Sequence, residues 1–242
     1  MCHDTDALPP APPGHGAVAS REEPVLTAAD GNRFAAYDAV PERPTGAGVV
    51  ILPDIRGLHP YYLALADRFA EAGVQAVAMD FFGRTDGARR RDDLFDYRPA
   101  VAQLTPEHVH ADAAACVDRL RESGVERVST VGFCFGGGHS WRLASTDLGI
   151  DGSAGLYGRA ALLEEVADRV RRPLLMLLAG ADHTPPETFL ALAGRVRTAG
   201  VSVETHVYEG APHSFFDRAC AQYRDACTDA WHRLLAFARP TG

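Results

Sequence analysis

Residues 129–141 read STVGFCFGGGHSW, a short strand-like run that turns through glycines into a helix-permissive stretch, with Cys134 on the turn. A thiol held on such a corner can act as a nucleophile. The backbone there is forced into a tight conformation, so the residues two places either side, Gly132 and Gly136, must be small. The helix that follows points its positive end at the sulfur, which favours thiolate over thiol. The next amide in the chain, that of Phe135, is placed to donate to an oxyanion. Taken alone, G-x-C-x-G also fits a packed strand-to-helix corner that does no chemistry.

Two other segments change that balance. LAGADH at 178–183 sets Asp182 just past a strongly apolar run, and YEGAPHSFF at 208–216 sets His213 just past the last strand-like run. A carboxylate that orients an imidazole, which in turn activates a nucleophile, needs these three residue types together. Cys134, Asp182 and His213 occur in the chain order nucleophile, acid, base, each on a strand-end loop, as in an α/β-hydrolase triad.

The elements that must position them follow from hydrophobic spacing. After residue 45, short apolar runs alternate with longer amphipathic ones, the mark of βα units on a mainly parallel sheet with helices on both faces. Strands are expected at 48–53, 74–81, 127–133, 151–157, 173–179 and 203–208. Helices are expected at 61–72, 106–123, 137–144, 186–199 and 220–238. Residues 24–40 read as an antiparallel hairpin turning at Asp30-Gly31. Residues 1–20, rich in proline and small residues, read as a disordered or extended lead-in to one domain at 21–242.

Composition bounds the function. The 242 residues suit a single α/β domain, and 46% hydrophobic with 23% charged residues is ordinary for a globular core. A net charge of −8 repels phosphate backbones and argues against a nucleic-acid partner. No apolar run is long enough to span a membrane, and the N-terminus has neither the basic nor the apolar region of a secretory signal. The five cysteines, at 2, 116, 134, 220 and 227, follow no framework, which suggests free thiols in a reducing, cytoplasmic setting. Cys220 and Cys227, seven apart, would share a helix face. No cluster has metal-ligand spacing, so neither a structural metal nor another cofactor is expected.

The chain resembles the dienelactone hydrolases over nearly its whole length after the lead-in. The likeness rests on LPDIRGLHPYY at 52–62, MDFFGR at 79–84, VGFCFGG at 131–137, GLYG at 155–158, LAGADHTPPE at 178–187 and YEGAPHSFFDR at 208–218. It implies the α/β-hydrolase fold and metal-free hydrolysis of a cyclic enol lactone that carries a carboxylate. It further implies Cys134 as nucleophile, His213 as base, Asp182 as its orienting group, and the amides of Ile55 and Phe135 as the oxyanion hole. Where family members carry a glutamate that helps switch the cysteine to thiolate, this chain has the shorter Asp54, which reads either as that support or as the cap of a turn. Arg84 matches the first of the family's two substrate-carboxylate arginines. The second is displaced by one place, leaving Asp217 at the matching position and Arg218 beside it. Arg56 is a further candidate for an anion partner. Tyr157 matches a position near the site and reads equally as a core aromatic. His59 and His139 read as structural, and the run at 89–93 as a solvated loop over the cleft.

The expected reaction is attack of the Cys134 thiolate on an activated lactone or ester and hydrolysis of the resulting thioester. The same site is compatible with lactone isomerisation, ring closure or acyl transfer. A non-enzymatic protein using Cys134 as a reactive thiol is a reading of another class, one that gives no role to Asp182 and His213. The partner is then a small lactone or ester, and the chain is expected to be a monomer.

Overall fold

The apolar runs become the strands of one sheet, and the amphipathic runs between them become the helices that cover it. The structure, a computed structural model, describes residues 7–14, 16–217 and 220–239. Its strands are β1 (Val18–Glu22), β2 (Val25–Thr27), β3 (Arg33–Pro41), β4 (Ala47–Leu52), β5 (Gln75–Met79), β6 (Arg127–Phe133), β7 (Gly152–Leu156), β8 (Leu174–Ala181) and β9 (Val203–Pro212). Its helices are α1 (Pro60–Glu71), α2 (Gly83–Asp86), α3 (Tyr97–Val101), α4 (Pro106–Glu122), α5 (Phe135–Leu143), α6 (Ala160–Glu164), α7 (Pro186–Thr198) and α8 (Arg224–Ala238).

The strand order is β1-β3-β5-β4-β6-β7-β8-β9, with β2 paired to β3 off the main path. β1 and β2 run antiparallel to β3, and β3 antiparallel to β5. From β5 to β9 every pairing is parallel. Such strands are buried on both faces and read as continuous apolar runs. In β4 the side chains alternate between two cores: Ala47, Val49 and Ile51 join a cluster with α1 and α8, whereas Val50 and Leu52 join one with α4. A third cluster seats Trp141 of α5 and Phe189, Leu192 and Val196 of α7 against β8. Helices therefore cover both faces.

Local signals start and stop the helices. α1 opens with His59 as N-cap, accepting from the Tyr61 amide, and Pro60 in its first turn, and it ends before Gly73 at φ +82°. α4 opens on a capping box between Thr105 and His108. The 24–40 hairpin turns through Gly31 at φ +86°.

Some boundaries move. α5 begins at Phe135 and not at 137, because the turn at Cys134 itself launches the helix. β9 runs on past 208 to Pro212, pairing Pro212 with Ala181 after an irregularity in β8, and so delivers the chain directly to His213. α8 begins at Arg224, so Cys220 lies in the turn before it and shares no helix face with Cys227. The Cys227 thiol donates to Phe215 O at 3.4 Å, and its nearness pulls the Cys220 pKa down to about 7. Pairing starts at Val18, within the stretch expected to be a lead-in. Residues 7–14 have no regular structure, but the Trp231 indole donates to the Pro10 carbonyl at 3.0 Å. No helix among the described residues is long and apolar enough to cross a membrane.

Candidate active site

Cys134 sits at the carboxyl end of β6 with φ 52° and ψ −111°, a conformation that L side chains rarely adopt. The glycines around it are explained by contact. A Cβ at Gly132 would fall 2.1 Å from the Gly136 carbonyl oxygen, and one at Gly136 would fall 2.2 and 2.3 Å from the carbonyl oxygens of Leu52 and Pro53. These are backbone atoms and cannot swing aside. The corner is pinned on both sides: the Cys134 amide donates to Leu156 O at 3.1 Å, and the Gly136 amide to Pro53 O at 3.0 Å. The second bond fixes the corner to the 53–59 loop, which carries Ile55.

His213 and Asp182 meet at the carboxyl ends of β9 and β8. His213 Nδ1 lies 2.8 Å from Asp182 Oδ2, while Asp182 Oδ1 accepts from the His183 amide at 2.7 Å. A carboxylate only accepts, so Nδ1 carries the proton and the neutral ring keeps Nε2 as its basic atom. The Asp182 side chain is 9% exposed and that of His213 27%, so the carboxylate is the more buried member of the pair. Tyr157, on the loop after β7, stacks on the His213 ring with centroids 5.0 Å apart. It is buried and lies within the field of Cys134, and burial first of all raises its pKa well above the usual phenol value. It is therefore a neutral aromatic wall between the two segments. Among the described residues, the non-glycine positions with positive φ are Cys134, Tyr157 and Ser214, the last beside His213. Backbone strain of this kind clusters at functional sites and costs about 1–3 kcal/mol per residue.

The model of the dienelactone hydrolase family matches residues 34–241. This chain belongs to the dienelactone hydrolase family. A provisionally named carboxymethylenebutenolidase of Saccharolobus solfataricus is 26% identical, over 90% of this chain and 98% of that protein. Protein usf of Aquifex pyrophilus is 29% identical, over 86% and 94%. A solved structure of a provisionally named dienelactone hydrolase from Klebsiella pneumoniae superposes with a TM-score of 0.77 at 24% identity, over 90% of this chain and 97% of that one. The protein is accordingly an α/β-hydrolase-fold enzyme of the carboxylic ester hydrolase class.

The dienelactone hydrolase fold places the remaining candidates as follows. Asp54 caps its turn, accepting the Arg56 amide at 2.9 Å, and also grips the Arg56 guanidinium through both carboxylate oxygens at 2.8–3.0 Å. Arg56 reaches on to Asp217 at 3.4 Å and to His59 Nδ1 at 3.1 Å, and lies over the rings of Tyr61 and Tyr62, 5.6 Å from each centroid. All of Asp54, Arg56, His59 and Asp217 are buried. Burial works against the Arg56 cation, but Tyr62, Asp54 and Asp217 outweigh it and raise its pKa. His59 donates from Nε2 to Asp93 at 3.2 Å, and burial with the nearby Arg56 charge lowers its pKa, keeping it neutral. Two tyrosines of α1 bind the flanking loops: Tyr62 OH accepts the Asp54 amide at 2.9 Å, and Tyr61 OH donates to Phe216 O at 3.1 Å.

The Gly136 amide's bond to Pro53 O ties the loop that carries Ile55 to the corner that carries Phe135. Arg84 is held by Asp30 at 2.6 Å and Asp112 at 2.8 Å, tying α2 to the hairpin turn and α4. Arg218 lies outside the described residues. His139 is buried against Phe135, ring centroids 4.6 Å apart, and burial pushes its pKa down to about 4. The solvated-loop reading fits Arg89 and Arg90 but not Arg91. The Arg91 side chain is 1% exposed, paired with Asp80 at 2.7 Å and Asp86 at 2.6 Å, and its guanidinium lies over the Phe95 ring at 4.7 Å. Asp80 also accepts the Leu58 amide at 3.1 Å, so this buried pair braces the 53–59 loop from below. Sequence reasoning missed both braces. Their one local signal was the spacing of Asp54 and Arg56, an acceptor two residues before the amide it caps. Among the described residues no cluster of three or more His, Cys, Asp or Glu side chains is arranged to hold a metal ion.

Proposed function

We propose that this dienelactone hydrolase-family enzyme hydrolyses activated lactones or esters through a thioester on Cys134. The observation that carries the reading is the 2.8 Å Asp182–His213 pair standing on the same carboxyl edge of the parallel sheet as the strained Cys134 corner. Catalytic groups of open α/β sheets collect at that edge.

In the proposed reaction His213 Nε2 takes the thiol proton, and the Cys134 sulfur forms a bond to the carbonyl carbon. The oxyanion is received by the Ile55 amide and by the Phe135 amide, the latter on the first turn of α5, whose dipole also favours the thiolate. The C–O bond then breaks, the enolate or alkoxide takes the proton from His213, and a thioester remains. His213 next removes a proton from water, hydroxide adds to the thioester, and the acid leaves with the thiol restored. A thiolate is displaced from its own tetrahedral adduct more readily than an alkoxide, so good leaving groups such as enolates favour forward reaction. Activated lactones are better substrates than alkyl esters or amides on this ground. Asp54 acts in this scheme as a positioning residue, holding the oxyanion loop through Arg56.

Intact-mass measurement during brief exposure to an activated lactone or p-nitrophenyl ester tests the proposal. The expected result is an acyl adduct that rises and decays with acid release and is absent from C134A. Turnover by C134A, or neither adduct nor turnover in the wild type, would refute it.

A further inference from the structure

The two oxyanion donors differ in how they are held. The Phe135 amide belongs to the first turn of α5, whereas the Ile55 amide lies on the loop between β4 and α1 and points wherever that loop directs it. Residues 54–57 form a turn. The Asp54 carbonyl accepts the Gly57 amide at 3.1 Å, and the Asp54 carboxylate accepts the Arg56 amide at 2.9 Å. The Asp54 carbonyl and the Ile55 N–H share one trans peptide plane and point opposite ways. With the carbonyl drawn into the turn, the N–H faces out of it. Gly57 closes the turn at φ +70°, where a Cβ would fall 2.5 Å from Asp80 Oδ1 and 2.9 Å from the Phe82 ring.

A closed turn still swings as a body unless both its ends are fixed. Beyond it, the Leu58 amide donates to Asp80 Oδ1 and the Leu58 carbonyl accepts the Arg91 amide, both at 3.1 Å. Ahead of it lies the Pro53–Asp54 peptide, and both edges of that plane are held. Its carbonyl accepts the Gly136 amide at 3.0 Å, from the corner that carries Cys134, and its N–H donates to the buried Tyr62 hydroxyl at 2.9 Å. Only the two soft dihedrals of Asp54 separate this plane from the one that bears the Ile55 N–H. Tyr62 is itself fixed. It is buried, its ring tilts against Phe133, the residue before Cys134, at 5.9 Å between centroids, and Tyr61 meets it edge-on at 5.1 Å. The hydroxyl therefore refers the turn to the strand that delivers the nucleophile. We propose that Tyr62 is a positioning residue for the oxyanion hole, setting the Pro53–Asp54 peptide and through it the direction of the Ile55 N–H. The inference rests on the hydrolase reading above and extends it to a residue of α1 that takes no part in the bond changes.

The test compares the full-length wild type with Y62F, which deletes the hydroxyl and keeps the ring, on one p-nitrophenyl ester. Rates are normalised to the protein whose Cys134 takes an acyl adduct, so unfolded chains do not count. An oxyanion forms in both acylation and deacylation, so kcat reports its stabilisation whichever step is slower, and a donor that acts only in the transition state leaves KM alone. Y37F is the control. It breaks another hydroxyl bond to α1, from Tyr37 to Asp67 at 2.9 Å, without touching the turn. The expected result for Y62F is a fall in kcat on the order of tenfold with KM within about twofold, less than the roughly 10²- to 10³-fold lost when an oxyanion donor is removed outright. Y37F should keep the wild-type kcat. If Y62F fails to fold or takes no adduct, difluorotyrosine at position 62 replaces it. That residue keeps the ring and the hydroxyl but weakens the oxygen as an acceptor, and it should lower kcat severalfold at unchanged KM. A kcat within about twofold of wild type in the variant that decides overturns the inference, whatever happens to stability. A loss confined to KM, or an equal fall in Y37F, overturns it too. Absence of turnover and of a Cys134 adduct in the wild type would instead refute the hydrolase reading and take this inference with it.

Discussion

Replacing Cys134 with glycine should leave a more stable protein than replacing it with alanine, although both variants lack the thiol. The residue sits at φ 52° and ψ −111°, where a Cβ is crowded by its own backbone. Holding a non-glycine residue there costs about 1–3 kcal/mol, which glycine escapes. Against this, glycine loses about 0.5–1 kcal/mol more conformational freedom on folding than alanine. It also forgoes burial of one half-buried methyl group, at most about 0.8 kcal/mol. Taking central values, the glycine variant should be ahead by about 1 kcal/mol, whereas at an ordinary position it falls behind by about that amount. The swing of about 2 kcal/mol is well within reach of urea unfolding curves recorded for both variants at one pH, provided their slopes agree. If the glycine variant is the less stable by half a kcal/mol or more, the corner is not strained, and the argument that stored strain presents the sulfur fails.

Three further perturbations probe the site and its supports. In D182N the neutral amide no longer holds the proton on His213 Nδ1, so kcat should fall on the order of 10³- to 10⁴-fold with melting behaviour nearly unchanged; a loss of less than tenfold in steady-state turnover would remove Asp182 from the mechanism. His139, at a folded pKa of about 4 against an ordinary 6.5, is a base that the unfolded chain protonates first, so its contribution to stability rises with pH between about 4 and 6.5. Wild type should therefore lose on the order of 3 kcal/mol more than H139F on going from pH 7 to pH 4, by denaturant titration, and parallel curves would exclude the effect. R56M removes the cation that two buried carboxylates share and should destabilise by about 3–5 kcal/mol at pH 7. Urea unfolding measures it, and a loss below about 1 kcal/mol would mean that Arg56 is not what neutralises them.

Much of this protein is legible one segment at a time. The strands of the parallel sheet announce themselves because burial on both faces demands unbroken apolar runs, as in 48–52 and 174–178. The corner at Cys134 is legible for an equally local reason. Only glycine fits at 132 and 136, where a Cβ would strike backbone oxygens within a few residues of chain or on the adjoining strand. Boundaries were less legible where a neighbour decides them. β9 extends to Pro212 because β8 offers a partner at Ala181, and α8 starts late because the Asp217, Cys220 and Tyr223 amides each bond a carbonyl three residues back, as turns do, before it.

The sequence by itself thus determined the fold class, the strand-end positions of Cys134, Asp182 and His213, and the chain order that makes them a candidate triad. Only the tertiary structure decided how the charges pair. Arg84 reads from sequence as a match to a substrate-carboxylate arginine, and only the fold sets it against Asp112, 28 residues away; Asp217 reads as an acid at the place of the second, and only the fold sets it against Arg56, 161 residues away. A long flexible side chain has no periodicity that reveals its partner. Which carboxylate it reaches depends on strand order and on loops crossing the sheet's carboxyl edge, and a buried charge takes whichever neutralising group that packing brings within about 3 Å.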